Sequence, residues 1–125
     1  RQFKAAVQVY SNAARLAPRE PLILGGLGRA HLAAGDPRAA LKSLEAARGR
    51  DVSDARVLRD LSVAYAKLGQ PGLASAATAE RYALQGRLED AEIHARRALD
   101  QLPRGSAAWQ RAQDVLSAAK QAKRR

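Results

Sequence analysis

The sequence predicts an all-α fold: a short right-handed array of antiparallel helical hairpins, an α-solenoid of about seven helices. Three observations carry this expectation. Alanine fills 29 of the 125 positions, and the only aromatic residues are Phe3, Tyr10, Tyr65, Tyr82 and Trp109, a composition that favours helix. Marker residues recur 34 apart, Gly35 with Gly69, Pro37 with Pro71, Leu27 with Leu61 and Ala40 with Ala74, and 17 apart, Gly69 with Gly86 and Tyr65 with Tyr82. No stretch alternates β-branched and aromatic residues with polar ones, so nothing reads as a strand.

A 17-residue unit fits one helix of about 14 residues and a short turn. The Pro18–Pro21 segment separates a helix over 2–17 from one over 21–34. Gly35-Asp36-Pro37 then supplies a helix-ending glycine, an N-cap acid and a first-turn proline, which start a helix over 37–49. Asp51 to Asp54 make the next break, before a helix over 54–68 with the apolar stripe Leu58, Leu61, Tyr65 and Leu68. Gly69-Gln70-Pro71 repeats the stop and restart, giving 71–84. Gly86 precedes a helix over 88–101 with the stripe Ala91, Ala95, Ala98 and Leu102. Pro103-Arg104-Gly105-Ser106 precedes the last helix, 105–122, begun by Ser106. Short loops make consecutive helices antiparallel, and inward alanines let their axes approach closely.

Composition excludes several function classes. Without cysteine there is no disulfide framework, thiolate metal site or cysteine nucleophile. No apolar run reaches the roughly 20 residues that span a bilayer, and Arg1-Gln2-Phe3-Lys4 does not resemble a signal peptide. With no Met at all, the chain reads as a segment of a longer protein, any targeting sequence lying outside it.

The spacing of large and small residues resembles the tetratricopeptide repeat. From Leu24 the pattern runs Leu27-Gly28, His31, Ala40, Leu44, Ala47 and Val52; from Leu58 it runs Leu61-Ser62, Tyr65 and Ala74, after which Thr78 and Arg81 depart. Phe3, Ala6, Tyr10, Ala13 and Pro18 match the second half of a unit, and Trp109 falls where a new unit begins. The resemblance implies one domain over 1–125: a half repeat at 1–18, a repeat at 21–54, a degenerate repeat at 55–86, a helix at 88–103 and a capping helix at 105–122. Residues 71–84 fit both the second helix of one unit and the first of the next, so the stack is expected to shift phase by 17 there and to lose its regularity beyond Gly69.

A narrower resemblance covers residues 55–119. Ala64-Tyr65-Ala66-Lys67-Leu68-Gly69, Ala79-Glu80-Arg81-Tyr82, Gly86-Arg87-Leu88-Glu89-Asp90-Ala91 and Gly105-Ser106 followed by Trp109-Gln110-Arg111-Ala112-Gln113-Asp114 are similar to the C-terminal repeat domain of BepA-like bacterial zinc metalloproteases. That resemblance implies a periplasmic parent enzyme acting in outer-membrane protein assembly or quality control. The partner of this domain would be the assembly machinery, a client protein or the parent's own protease domain.

Catalytic chemistry finds no support in the residues, and no cofactor or metal site is expected. Zinc hydrolases need His-Glu-x-x-His with a further ligand, whereas the only histidines are His31 and His94, neither followed by Glu. His31 occupies a Tyr65-like packing slot and His94 reads as a surface residue. Glu89, Asp90 and Glu92 read as first-turn acids that offset the helix macrodipole, not as an acid–base pair. No serine has a recognisable triad partner. Gly25-Gly26-Leu27-Gly28 follows no strand and precedes no Lys-Ser/Thr, so it is no phosphate loop. Gly28 suits close helix contact, and Gly25 and Gly26 suit a bend facing a groove.

The net charge of +10, from 22 Lys and Arg against 12 Asp and Glu, is the main functional signal. In a hairpin stack, the free face of each first helix lines a concave groove. Here that face holds Leu22, Gly25, Arg29, Leu32, Arg56, Arg59, Val63, Ala66 and Lys67, apolar contacts interleaved with cations. The expectation is a protein-interaction module whose groove takes a segment of another protein, with acidic side chains or a carboxylate meeting the arginines. Nucleic acid is the rival partner, but the cations are spread over all the helices and the aromatics sit in packing slots. The basic end, Lys120-Gln121-Ala122-Lys123-Arg124-Arg125, lacks the apolar face of a membrane anchor.

Overall fold

The computed structural model describes residues 2–124. Among them the chain is helical throughout: α1 (Gln2–Leu16), α2 (Pro21–Ala33), α3 (Pro37–Arg50), α4 (Ala55–Lys67), α5 (Pro71–Leu84), α6 (Leu88–Gln101) and α7 (Ala107–Lys123). The expected boundaries hold to within one or two residues, since Asp54 and Ser106 act as caps outside their helices. Asp54 accepts from Arg56 N–H at 2.9 Å, and Ser106 Oγ accepts from Trp109 N–H at 3.2 Å.

The 17-residue rhythm has a local cause. Gly35, Gly69 and Gly86 take left-handed φ of 84°, 71° and 75°, a conformation that penalises any Cβ. Each closes the same pair of hydrogen bonds over the helix end. Gly35 donates to Leu32 while Asp36 donates to His31, and the pairs recur at Ala66 and Tyr65, then at Ala83 and Tyr82. His31, Tyr65 and Tyr82 therefore mark the last turns of three helices that stop in the same way. Asp36 and Pro37 restart α3 as expected, with Asp36 Oδ1 accepting from Ala39 N–H at 3.1 Å.

Consecutive helices pack pairwise, and two further pairs close the stack: α4 lies on α2, and α7 lies on α5. Among the described residues α4 and α6 do not pack on each other. The neighbour relation thus changes by one helix between α4 and α5.

The main core sits between α2, α3, α4 and α5. Leu44, Leu58, Leu61 and Val57 are its largest fully enclosed side chains, whereas the second half is closed mainly by Ala79, Ala91, Ala95, Ala98 and Ala112. Alanine allows close axes but buries little area per residue, so the hydrophobic stabilisation is concentrated in α3 and α4.

Three glycines admit the neighbours of α2. A Cβ on Gly28 would stand 2.6 Å from Leu44 Cδ2, one on Gly26 would stand 2.7 Å from Tyr10 Cζ, and one on Gly25 would stand 3.3 Å from Val57 Cγ2. Thus α3, α1 and α4 each press a side chain onto α2. Gly28 makes the close contact expected of it. Gly25 does not face a groove, because Val57 of α4 covers it, whereas Gly26, pressed by Tyr10, lines a cavity of about 210 Å³ with Phe3, Tyr10 and Arg29.

The second unit solves the same contact differently. Ser62 and Thr78 stand 34 residues after Gly28 and Leu44, and their hydroxyls lie 2.7 Å apart. Thr78 also donates to Ala74 C=O at 2.9 Å. Both residues depart from the repeat pattern, and together they replace a glycine-leucine contact with a polar one. Thr78→Val should cost about 1 kcal/mol in urea unfolding, the usual net value of a hydrogen bond; an unchanged midpoint would mean that the pair only fills space.

Three expectations are corrected. Phe3 and Tyr10 are exposed at 52% and 37%, because α1 has only α2 to pack against. His94 is half-buried against Tyr82, with ring centroids 5.3 Å apart, and burial lowers its pKa ahead of the effect of Arg97. Glu92 lies beyond the first turn of α6 and reaches Lys123 Nζ at 2.9 Å, tying α6 to α7.

Candidate polypeptide-binding site

On the α2–α4 face, Asp60 joins two of the expected groove residues, Arg29 and Arg59. On α4 the outward stripe Arg56, Arg59, Val63, Ala66 and Lys67 is exposed, while Val57, Leu58, Leu61 and Ala64 on the other side enter the core. Leu22 begins the matching edge of α2, 66% exposed, and Val63 is 41% exposed. Arg29 crosses between the helices and donates from Nε to Asp60 Oδ2 at 3.1 Å; Arg59 Nε lies 3.7 Å from the other carboxylate oxygen.

Two of the proposed lining residues are elsewhere. Gly25 is buried at the α2–α4 contact, where its missing side chain makes room for Val57, so it offers no groove surface. Leu32 is half-buried against the core cluster of Leu44 and Leu58. Asp60, absent from the expected set, is buried in the middle of the face and compensates two of its arginines. A signal for it existed: it follows Arg59 directly and lies four residues before Ala64 in the buried stripe. The cationic character is therefore carried by Arg56 and Lys67 at the flanks and by the remaining excess at Arg29 and Arg59.

A second charged cluster lies where the two halves meet. Glu80 of α5 pairs through Oε1 with Arg48 of α3, and Arg111 Nε of α7 lies 3.3 Å from the same oxygen. Burial pushes the Glu80 carboxyl above its ordinary value, outweighing the opposing pull of Arg48 and Arg111. Burial likewise lowers Arg48, ahead of the opposing Glu80, and raises the Tyr65 phenol, ahead of Glu45. These residues are 32 and 31 positions apart, so no local pattern links them.

Among known families, a similarity is found, and it covers the N-terminal part of the chain. Residues 1–59 match the tetratricopeptide repeat. The matched stretch spans α1, α2, α3 and the first part of α4, and therefore includes Leu22, Arg29, Arg56 and Arg59. Together with an all-helical stack of packed neighbours, the match supports a tetratricopeptide repeat domain, a kind of fold that binds proteins or peptides. No curated protein matches the chain.

The described residues contain no group of three or more His, Cys, Asp and Glu that could hold a metal ion. His31 and His94 are on α2 and α6, and neither joins such a group. No described helix is long and apolar enough to cross a membrane.

Proposed function

We propose that this chain is a polypeptide-binding module whose α2–α4 face takes an acidic segment of another protein. The observation that carries the reading is the exposed α4 stripe in which Val63 stands among Arg56, Arg59 and Lys67, with Leu22 exposed on α2, in a chain of net charge +10. Apolar contacts supply affinity, and the arginines select carboxylates through paired N–H donors. Asp60 holds Arg29 in place and leaves Arg59, with one long contact, free to turn toward a ligand.

The test is selection of phage-displayed peptides on the wild-type chain, counter-screened with Arg56→Glu/Arg59→Glu. Selected sequences should combine Asp or Glu with Leu-like residues, and calorimetry should give at least tenfold weaker binding to the double variant. Equal affinity for both proteins removes the α2–α4 face from the mechanism.

The finer reading is that the module is the non-catalytic C-terminal domain of a periplasmic zinc metalloprotease of BepA-like type. On this reading its partner is outer-membrane assembly machinery, a client protein or the parent's protease domain. Support comes from the motifs within residues 55–119, above all Gly105-Ser106 followed by Trp109, Arg111 and Asp114. A His-Glu-x-x-His motif upstream in the full-length reading frame tests it; without one, the module is an adaptor from an unrelated repeat protein. The net charge also favours a nucleic-acid partner in principle, but Arg29, Arg87, Arg96 and Lys123 are engaged in intramolecular ion pairs. Tight, salt-resistant gel shifts with RNA or DNA would favour that partner instead.

A further inference from the structure

Arg111 is the common wall of three adjoining cavities of about 590, 330 and 270 Å³. Shared residues join them into one trough, since Tyr65 and Glu45 line the first two and Arg48 and Val52 line the last two. None of its lining residues belongs to the α2–α4 face. One end is walled by Leu41, Leu73 and Leu102, and the other by Val52, Leu84 and Val115.

The Val52–Leu84 end of the trough carries an excess of positive charge. Arg48 and Arg111 share the single carboxylate of Glu80, both through Oε1, so the three side chains sum to one positive charge. Arg111 Nε is buried and makes no hydrogen bond, its 3.3 Å approach to Glu80 being poorly aligned. Glu45 lines the 330 and 590 Å³ cavities and also attracts Arg48, but it does not line the 270 Å³ one. At the Val52–Leu84 end Glu80 is the only acid, and it already faces two guanidiniums. Val52 and Leu84 are nevertheless 73% and 48% exposed there, a cost that a covering apolar side chain would relieve.

From this juxtaposition we infer that the trough is a second docking site, which takes a polypeptide segment with a carboxylate side chain beside a bulky aliphatic one. The carboxylate bridges the free donors of Arg48 and Arg111, and the aliphatic group covers Val52, Leu84 and Val115. Aliphatic walls beside paired guanidiniums fit such a segment better than a nucleic acid, for which no exposed aromatic platform lines the trough. The site lies largely outside the stretch matched to the tetratricopeptide repeat, giving the C-terminal half its own ligand.

The experiment is methyl NMR of the full chain titrated with the peptide acetyl-Gly-Leu-Glu-Leu-Gly-amide, its Gln-for-Glu counterpart and octathymidylate. The acidic peptide should give saturable shifts at the Val52, Leu84 and Val115 methyls, with at least tenfold weaker binding of the Gln peptide. Arg111→Gln should abolish those shifts, and Leu84→Asp, at a half-exposed site where circular dichroism should show the fold intact, should abolish those at Val52 and Val115; shifts that persist in either variant overturn the inference. Arg56→Glu/Arg59→Glu should retain them, separating this site from the α2–α4 face. The inference is overturned if the methyls do not move, if the Glu and Gln peptides bind equally, if the shifts fall only at Leu22 and Val63, if Arg56→Glu/Arg59→Glu abolishes them, or if octathymidylate moves the trough methyls at lower concentration than the peptide does.

Discussion

Leu44→Ala should lower the unfolding free energy by about 2–5 kcal/mol, and Gly28→Ala should also destabilise, yet the double variant should cost less than the sum. Leu44 is fully buried, and the second half of the molecule has few large side chains with which to compensate a cavity. A loss of this size lowers the melting temperature by roughly 10 °C or more in a domain of this length. Gly28→Ala brings a helix-propensity gain of about 1 kcal/mol. The new methyl would stand 2.6 Å from Leu44 Cδ2 and 3.3 Å from the Ala40 carbonyl oxygen, and overpacking of this kind costs about 1–3 kcal/mol. Truncating Leu44 removes the obstacle and lets the methyl occupy part of the vacated volume. A coupling of about 1–2 kcal/mol in urea unfolding is the expected result; strictly additive costs would show that α2 and α3 do not meet through this pair.

Glu80→Met should cost about 2 kcal/mol, less than the 3–5 kcal/mol of a fully buried pair because the side chain keeps some exposure, 16%. The loss comes from two guanidiniums left without their shared acceptor. Arg48→Met/Glu80→Met should recover most of it, since burial outweighs attraction for both partners. Glu80→Gln keeps an acceptor and should be close to neutral at pH 7. The Glu80 pKa is raised on folding, so its contribution is full below the ordinary carboxylate range and is lost as pH rises through the elevated folded value. Wild type should therefore lose stability relative to Glu80→Gln on going upward through that window. A difference that instead grows toward acid pH would show that the ion pair, not burial, dominates.

The α2–α4 face was only partly legible. Arg56, Arg59, Val63 and Lys67 follow from helical periodicity alone, because a stripe at three- and four-residue steps must face one way. Whether a residue on such a stripe is covered depends on the next helix, and this is why Gly25 reads as groove surface in the sequence although Val57 covers it. The same limit applies to Thr78, which reads as a defect in the pattern until Ser62 is seen against it.

What the sequence determined by itself was the helix inventory and its rhythm. Gly35, Gly69 and Gly86 stop helices, and Asp36, Asp54 and Ser106 start them, through hydrogen bonds to backbone a few residues away. Such bonds are set by neighbours in the chain, so they can be read there. Only the tertiary structure decided that three helices converge on the glycines of α2, and that Arg48, Glu80 and Arg111 share one oxygen. Those contacts join residues more than a helical hairpin's turn apart, where the choice among partners rests on the summed packing of whole helices, and no local bond records it.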